Sequence, residues 1–484
     1  MYISKITLHN FKGFKGDHEF NFDKGINFLV GNNNCGKSTL FQAIDFLQNG
    51  KNEEDFITKK LSSEDEYTSV VVEFSGRDIP KLVGQEHLKK YKNYLISDGD
   101  NAKLLIMRSS EETKITQSGK EKTLSIKQVR VFNPENNQFE NPSGIDSTIS
   151  ALFDAQFVWA DTRSDEVLDF SKTKICGRII EKVVLGQVKD SWKEFQESHA
   201  KTFDKISESL SPIEAALQDK LAEQYGETKV NFQFTLPQIS DFLKSGNIEL
   251  TDGGIQTSSF EKGTGMQRSL ALAIIQLYAE MISPNDADCS KPLFFFIDEP
   301  ETFLHPKAQN KLLDSLENLS KKSQIFIVTH SPYLLKQYQK DTHSIWLFSK
   351  SGSYSEAKEG EELDLFGDSS PSWGEINYYA YGIPSVEFHN ELYGFIQAKA
   401  TVEDDSNYNE KPFDLYLKNH NKNLKQNKLY KRLKRDSGIE EYDVTLPTYI
   451  RNLIHHPENT KNPPYSEAEL EESIKCLIDI LRNP

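Results

Sequence analysis

Apolar and polar residues alternate along Tyr2–Phe14, the period of a strand with one covered face, and the pattern predicts an edge strand. Ile26–Val30 is a continuous apolar run, as expected of a strand buried on both faces. From Thr39 to Leu47 the apolar positions recur every three or four residues, which predicts a helix. Further strands are expected within residues 67–76, 102–109, 127–133 and 155–161, separated by polar loops. Leu185, Val188, Trp192, Phe195, Phe203, Ile206 and Leu210 then follow a helical period, with His199 as a polar break in the stripe. A Gly-rich turn at 262–269 precedes a helix over 270–282, and residues 292–301 read as a buried strand. Next come a helix from Pro306 to about Ser320 and a strand over 324–332. Strands that end in acidic residues or histidine and alternate with helices predict a mostly parallel α/β sheet. Beyond residue 365 the pattern turns helical. The expected organisation is a first domain over 1–360, with an inserted β and helical segment at about 60–250, and a mostly helical domain over 365–484.

The 484 residues are ample for sizeable cores, and 37% hydrophobic with 27% charged content is the balance of a globular chain. No apolar run approaches the ~20 residues that cross a bilayer, which excludes a transporter subunit with its own spans. The start of the chain lacks a secretory core, and Cys35, Cys176, Cys289 and Cys476 are scattered without metal or disulfide spacing. A reducing cytoplasm is the expected setting. The net charge of −16 opposes contact with nucleic acid by the molecule as a whole. The run at 418–435 holds eight Lys and Arg, and it is either a solvated helix face or loop, or the place for phosphate-backbone contact.

Chemistry concentrates first at residues 31–39, GNNNCGKST, between the buried strand and the helix. This is the spacing of a phosphate-cradling loop. Gly31, Asn32, Asn33, Asn34, Cys35 and Gly36 supply backbone N–H groups, and the helix N-terminus adds positive potential. Lys37 is expected to neutralise terminal phosphate charge and Ser38 to ligate Mg²⁺, with Thr39 on the α-phosphate side. Triphosphate and Mg²⁺ are therefore the expected ligands. The strand ending Asp298–Glu299 offers a carboxylate for the metal shell, Asp298, and one to orient or deprotonate water, Glu299. Glu301 reads as a cap for the following helix, and His330 as an imidazole at the γ-phosphate.

The order GxxxxGKST, GTGMQRSL, IDEPE and THSP resembles ABC-type ATPase heads, most closely the soluble RecF/SMC/OLD-like branch. The fold class this resemblance implies is a P-loop α/β head: a mixed sheet with helices, an antiparallel β subdomain and a helical insertion. It is joined to a mostly α-helical C-terminal domain. The resemblance also implies ATP as cofactor and head-to-tail pairing of copies. In such a pair a signature turn on one copy, here Gly263, Thr264, Gly265 and Gln267, closes the ATP site of the other. Gly263 stands where that family has serine, and the middle-strand glutamine is matched only by Gln156, near Arg163. There are no long heptads between the halves, and no Toprim pattern follows residue 350; the acidic stretch at 403–405 sits in a polar loop. The departures from the import and export ATPase pattern in the signature and tail lead to the expectation of no membrane partner.

The tail, around residues 376–397 and 449–481, is similar to the PtuA family, the ATPase subunits of Septu and retron-associated anti-phage systems. That resemblance implies a homo-oligomer working with a separate HNH nuclease of the PtuB kind. Arg451, Asn452 and His456 are also similar to the motif of HEPN-domain ribonucleases, which leaves RNA cleavage in the tail, gated by ATP, as the alternative. A RecF-like DNA-repair ATPase is the other.

Overall fold

The computed structural model describes residues 1–50, 67–117, 120–159, 176–177, 179–180, 189–233, 246–282, 291–335, 338–360, 363–403, 409–434 and 438–483. Arg163, Leu185, Val188 and the acidic residues at 404–405 lie outside the described residues. The chain divides into two compact units, one of residues 1–158, 291–301 and 309–484, the other of 159–290 and 302–308. The C-terminal helices group with the sheets of the first unit.

The first unit is built on two sheets. One has the order Asp154–Val158, Leu293–Asp298, Gln324–Val328, Ile26–Gly31, His343–Ser351 and Tyr354–Glu359. Its first five strands run parallel and the last returns antiparallel. Phe294–Ile297 and Phe28–Val30 are at most 1% exposed, which is why they read as unbroken apolar runs. The parallel pairing brings the carboxyl ends of the Ile26, Leu293 and Gln324 strands side by side, where ligands of open α/β sheets bind.

The second sheet is antiparallel: Gln138–Glu140, Arg130–Asn133, Asn101–Ser109, Ser69–Gly76, Tyr2–His9 and Asp17–Asn21, with Ile96–Asp98 on the side of Asn101–Ser109. Tyr2–His9 is thus an interior strand, paired on both flanks, and not the expected edge. Alternation reports a face that is covered; it carries no information about lateral neighbours. Aromatic pairs lock the sheets together, Phe74 with Phe294 at 6.2 Å and Phe20 with Phe348 at 5.9 Å. Each buried ring contributes on the order of 2–3 kcal/mol through area removed from water. The helix Lys37–Asn49 packs Phe41 on Phe296 at 5.2 Å and Phe46 on Phe11 at 5.8 Å, so the residues after the loop are fixed from both sheets.

The C-terminal part is mostly helical, as expected: Trp373–Tyr381, Val386–Glu403, Glu410–His420, Leu446–His455 and Glu467–Arg482. Phe388, Leu392, Leu417, Ile450 and Leu477 form its core. Ser372 with Glu375, and Ser466 with Glu469, cap two of these helices reciprocally. The basic run, however, is neither a helix face nor a plain loop beyond residue 427. It enters a hairpin, Lys428–Leu433 against Ile439–Val444. There Lys428 meets Glu469, Lys431 meets Glu441 at 3.2 Å and Lys434 meets Glu440 at 3.6 Å. The acidic partners follow the run in sequence, and cross-strand pairing places two of them opposite it.

In the second unit the helix Lys189–Gln224 spans 36 residues. His199 does not break that stripe: its ring lies 5.5 Å from Phe195 and 4.7 Å from Phe203, as a packed aromatic. The helix Thr264–Ile282 starts at the Gly-rich turn, six residues ahead of the apolar pattern, because Thr264, Gly265 and Gln267 form its first turn. Among the described residues no helix is long and apolar enough to cross a membrane.

Candidate functional site

Between the strand Ile26–Gly31 and the helix Lys37–Asn49 the chain turns so tightly that glycine is required at two points. Gly31 has φ +145°, and a Cβ there would stand 2.2 Å from the Phe348 carbonyl oxygen. Gly36, at φ +100°, is the residue before the helix, and a Cβ would meet Ser355 Oγ at 2.7 Å. Asn32, Asn33 and Asn34 are exposed at the crest, Asn34 in the left-handed region at φ 59°. Cys35 is buried, and its thiol donates to the Asn32 carbonyl at 2.7 Å, drawing the loop into a ring.

Lys37 is 6% exposed and donates to the carbonyls of Gly31 at 3.0 Å and Asn32 at 2.8 Å. Burial holds its ammonium below the usual lysine range, against the opposing pull of Cys35, Asp298 and Glu299. A desolvated cation beneath a rim of exposed backbone is suited to an anion that replaces its lost hydration. Thr39 is buried in the first helical turn.

The partners of the loop stand at neighbouring strand ends. Ser38 Oγ donates to Asp298 Oδ2 at 2.9 Å. Glu299 has φ 48°, a left-handed conformation rare for such a side chain, and its N–H still donates to the Val328 carbonyl at 2.8 Å. The strand therefore bends sharply at the point where its carboxylate leaves the sheet. His330 Nε2 lies 3.7 Å from Glu299 Oε1. Burial, then the charge of Lys37, hold the imidazole below the ordinary histidine range, with Glu299 opposing. Lys37, Ser38, Asp298, Glu299 and His330 are thus gathered at one edge of the parallel sheet.

Glu301 does not cap the helix Pro306–Ser320. Its Oε1 accepts from Thr329 Oγ1 at 2.7 Å and from the His330 N–H at 2.8 Å, while the Ala308 N–H is taken by the His305 carbonyl. A carboxylate followed by a helix reads as a cap; the parallel neighbour that claims it is far away in sequence.

Several site residues were not legible. A cleft of about 430 Å³ opens over Asn34–Thr39, and Lys12, Gly13, Gln42, Lys350, Ser353 and Ser355 complete its wall. Ser355 is wedged between two glycines: its N–H donates to the Gly13 carbonyl at 2.8 Å, and a Cβ at Gly13 would stand 2.6 Å from its Oγ. Only Lys12 carried a signal, a lysine–glycine turn directly after the first strand.

Other expected residues lie elsewhere. Gln156 sits opposite Phe295 within the strand, three residues short of Asp298, and donates to Asp154 Oδ1 at 2.6 Å. In the second unit Gly265 lies so near the Phe303 carbonyl that a Cβ would be 2.8 Å from it, and Gly263 is open. The Gln267 amide is spent on its own turn, donating to the carbonyls of Phe260 at 3.0 Å and Lys262 at 2.7 Å. In the C-terminal helices Arg451 donates to Asn452 Oδ1 at 3.2 Å and lies over the Tyr393 ring, whereas His456 pairs with Glu458 at 3.3 Å. Burial, then the charge of Arg451 one helical turn away, hold the His455 imidazole below the ordinary histidine range.

A family model described as AAA domain, putative AbiEii toxin, Type IV TA system, matches residues 26–336. The chain is similar to the Old nuclease of Escherichia phage P2, with 29% identity over 353 residues, 69% of this chain and 57% of that protein. It is also similar to the Retron Ec83 probable ATPase of Escherichia coli, 24% identical over 412 residues, covering 74% and 73%. Endonuclease GajA of Bacillus cereus (strain HuB5-5) is 21% identical over 407 residues, covering 69% and 58%. The chain thus spans between half and two thirds of the lengths of Old nuclease and GajA. With the phosphate loop, the Asp298–Glu299 pair and His330 all inside the matched span, the chain belongs to this AAA-domain family of P-loop ATPases, on the RecF/SMC/OLD-like branch.

Proposed function

We propose that this chain is the Mg·ATP-hydrolysing subunit of an anti-phage defence complex, and that it scaffolds and gates a partner HNH nuclease. The observation that carries the hydrolytic part is the Ser38–Asp298 hydrogen bond at the loop mouth, with Glu299 and His330 beside it. A hydroxyl and a carboxylate next to an amide-lined loop form a hard-oxygen donor set, which fits Mg²⁺. When bound, the ion would be held by Ser38 and Asp298 and would neutralise phosphate charge. Lys37 balances the negative charge that grows on the transferred group. Glu299 orients the attacking water and accepts its proton as the new P–O bond forms and the bond to ADP breaks. His330, neutral at physiological pH, offers an imidazole nitrogen to the departing γ-phosphate.

The partner and defence assignments are supported by the similarity of the tail to PtuA and by the retron ATPase, nearly three quarters of which is matched. The resemblance of the ordered motifs to ABC-type ATPase heads supports pairing of two copies head to tail, with the turn at Gly263–Gly265 of one closing the loop of the other. The rival reading, RNA cleavage by Arg451 and His456, receives no support from a histidine turned toward Glu458.

Glu299→Gln tests the hydrolytic assignment. Nucleotide binding should persist while turnover falls on the order of 10²-fold or more; wild-type turnover in this variant would remove Glu299 from its role. A search of the adjacent reading frames for an HNH nuclease, followed by co-expression, purification and sizing of the two products, tests the partner, and the lack of any such frame counts against it. Separate elution of the two proteins with and without ATP counts against the scaffold.

A further inference from the structure

The segment that presents His330 is held from two directions. Below it, Glu301 Oε1 accepts from the Thr329 hydroxyl and the His330 N–H. The other Glu301 oxygen is buried without a partner, so all of the carboxylate's hydrogen bonding goes into this bend. On the opposite side Tyr381 donates its hydroxyl to the Thr329 carbonyl at 3.3 Å. The Tyr381 ring lies 6.1 Å from the His330 imidazole, tilted by 38°.

Tyr381 belongs to the helical tail. It is the last residue of Trp373–Tyr381, which stops at Gly382 in the left-handed conformation at φ 67°. The helix packs on the strands Ile26–Gly31 and His343–Ser351 on one side. Through Tyr378 and Tyr379 it packs against the C-terminal core on the other. One short helix thus touches both the sheet that carries the site and the C-terminal bundle. Its terminal side chain reaches the histidine expected to sense the γ-phosphate. His330 itself is only 30% exposed; the charge of Lys37 reaches it, and Glu299 stands at 3.7 Å, too long for a hydrogen bond. The direction of the imidazole therefore depends on the backbone bend and on the Tyr381 ring.

We propose that Tyr381, together with Glu301, is a positioning residue for His330, and that through it the C-terminal helices are coupled to the presence of a γ-phosphate. The inference rests on the hydrolytic reading of the site. Coupling is reciprocal: whatever moves Trp373–Tyr381 changes ATP affinity by the same factor by which ATP changes the helix.

Titration of fluorescent ATP and ADP analogues into the full-length protein with Mg²⁺ gives the preference for the triphosphate. His330→Ala should reduce that preference about tenfold, as loss of a contact to a charged group does. Tyr381→Ala should approach the same loss, and Tyr381→Phe, which keeps the ring, about threefold. ADP affinity should stay within about twofold in every variant, because the Lys37 loop is untouched; a merely misfolded protein would lose both nucleotides. The double variant of His330 and Tyr381 should lose no more than His330→Ala alone. Additive losses, or a wild-type preference in a folded Tyr381→Ala protein, overturn the proposal. If Tyr381→Ala does not fold, Tyr381→Phe decides: an unchanged preference overturns it, and a non-additive loss supports it. A wild-type protein that does not hydrolyse ATP would overturn the hydrolytic reading and this inference with it, and one that hydrolyses ATP but binds it no better than ADP would overturn this inference alone. A preference indifferent to Tyr381 would overturn this inference alone.

Discussion

Ser38 and Asp298 lie 260 positions apart in the chain, and the hydroxyl of one donates to the carboxylate of the other at 2.9 Å. Nothing local brings them together; parallel pairing of three strands does. Because the contact is a single, partly buried hydrogen bond, its own contribution to stability is about 1 kcal/mol. Its larger value is as a preformed cation site. Ser38→Ala should therefore leave the melting temperature almost unchanged while weakening Mg²⁺-dependent ATP binding about tenfold. Calorimetry with and without Mg²⁺ measures both. Equal binding of ATP by wild type and variant at saturating Mg²⁺ would show that the hydroxyl is not part of the metal shell.

How far the sequence carried the reading depends on what each residue must satisfy. GNNNCGKST was legible because glycine, lysine and hydroxyl are each dictated by a phosphate, whatever the surrounding fold. Asp298 and His330 were legible because apolar strands rarely end in charge without a reason. Glu301 was misread: its partners, Thr329 and His330, are assigned only by strand order, which no local pattern encodes. For the same reason Ser355, Lys350 and Tyr381 could not be found, since each reaches the site from an element whose neighbours are set by tertiary packing. The first strand was recognised as a strand but placed at an edge, since periodicity counts faces and not flanks. The basic run shows the converse failure. Its charge was counted correctly, but carboxylates at 440, 441 and 469 that fold against it were not.

Gly31 makes a stringent steric prediction. An alanine Cβ would fall 2.2 Å from the Phe348 carbonyl oxygen, a backbone atom that cannot rotate away, and φ +145° is itself unfavourable for alanine. Gly31→Ala should destabilise the protein by about 2 kcal/mol or more and remove nucleotide binding, because the strand and the loop must part to make room. Gly352, at φ +61° with no atoms near its Cβ position, is the control: alanine there should cost only about 1 kcal/mol from backbone strain and leave binding intact. Denaturant titration and ATP titration of the two variants separate the effects, and similar behaviour of both would contradict the assigned packing.

The hairpin bears on any contact with nucleic acid. Among the described residues of the run 418–435, which holds eight cations in sequence, Lys428, Lys431 and Lys434 face carboxylates within 4 Å. If the remaining five meet phosphates, the slope of log affinity against log salt should be roughly −4 to −5; eight free cations would give about −7. Fluorescence anisotropy with duplex DNA over a series of salt concentrations provides the slope. A slope near −7 would mean that the hairpin ion pairs open on binding, and a flat response would remove the run as a phosphate site.

His389 provides a test of the C-terminal bundle that is independent of nucleotide. It is completely buried, its Nε2 is 2.9 Å from Ser473 Oγ, and its ring stacks at 6.3 Å on Tyr393. Burial pushes its pKa down to about 4; Asn390 opposes the shift, and the nearby His455 adds to it. An unfolded histidine titrates near pH 6.5, so the unfolded chain takes up this proton first as the pH falls. The contribution to stability is therefore complete above about pH 6.5, declines between 6.5 and about 4, and does not change further below that. At 1.36 kcal/mol for each pH unit, the loss across this window amounts to about 3 kcal/mol. Glutamine can still reach Ser473 but does not titrate, so His389→Gln should be less stable than wild type at pH 7 and show a flatter dependence at acid pH. Urea titrations at pH 7.0, 5.5 and 4.5 resolve the two slopes. Parallel curves for wild type and His389→Gln would mean that the acid sensitivity of the bundle arises elsewhere, and the two histidines at the end of the helix Leu446–His455 would then be the groups to replace.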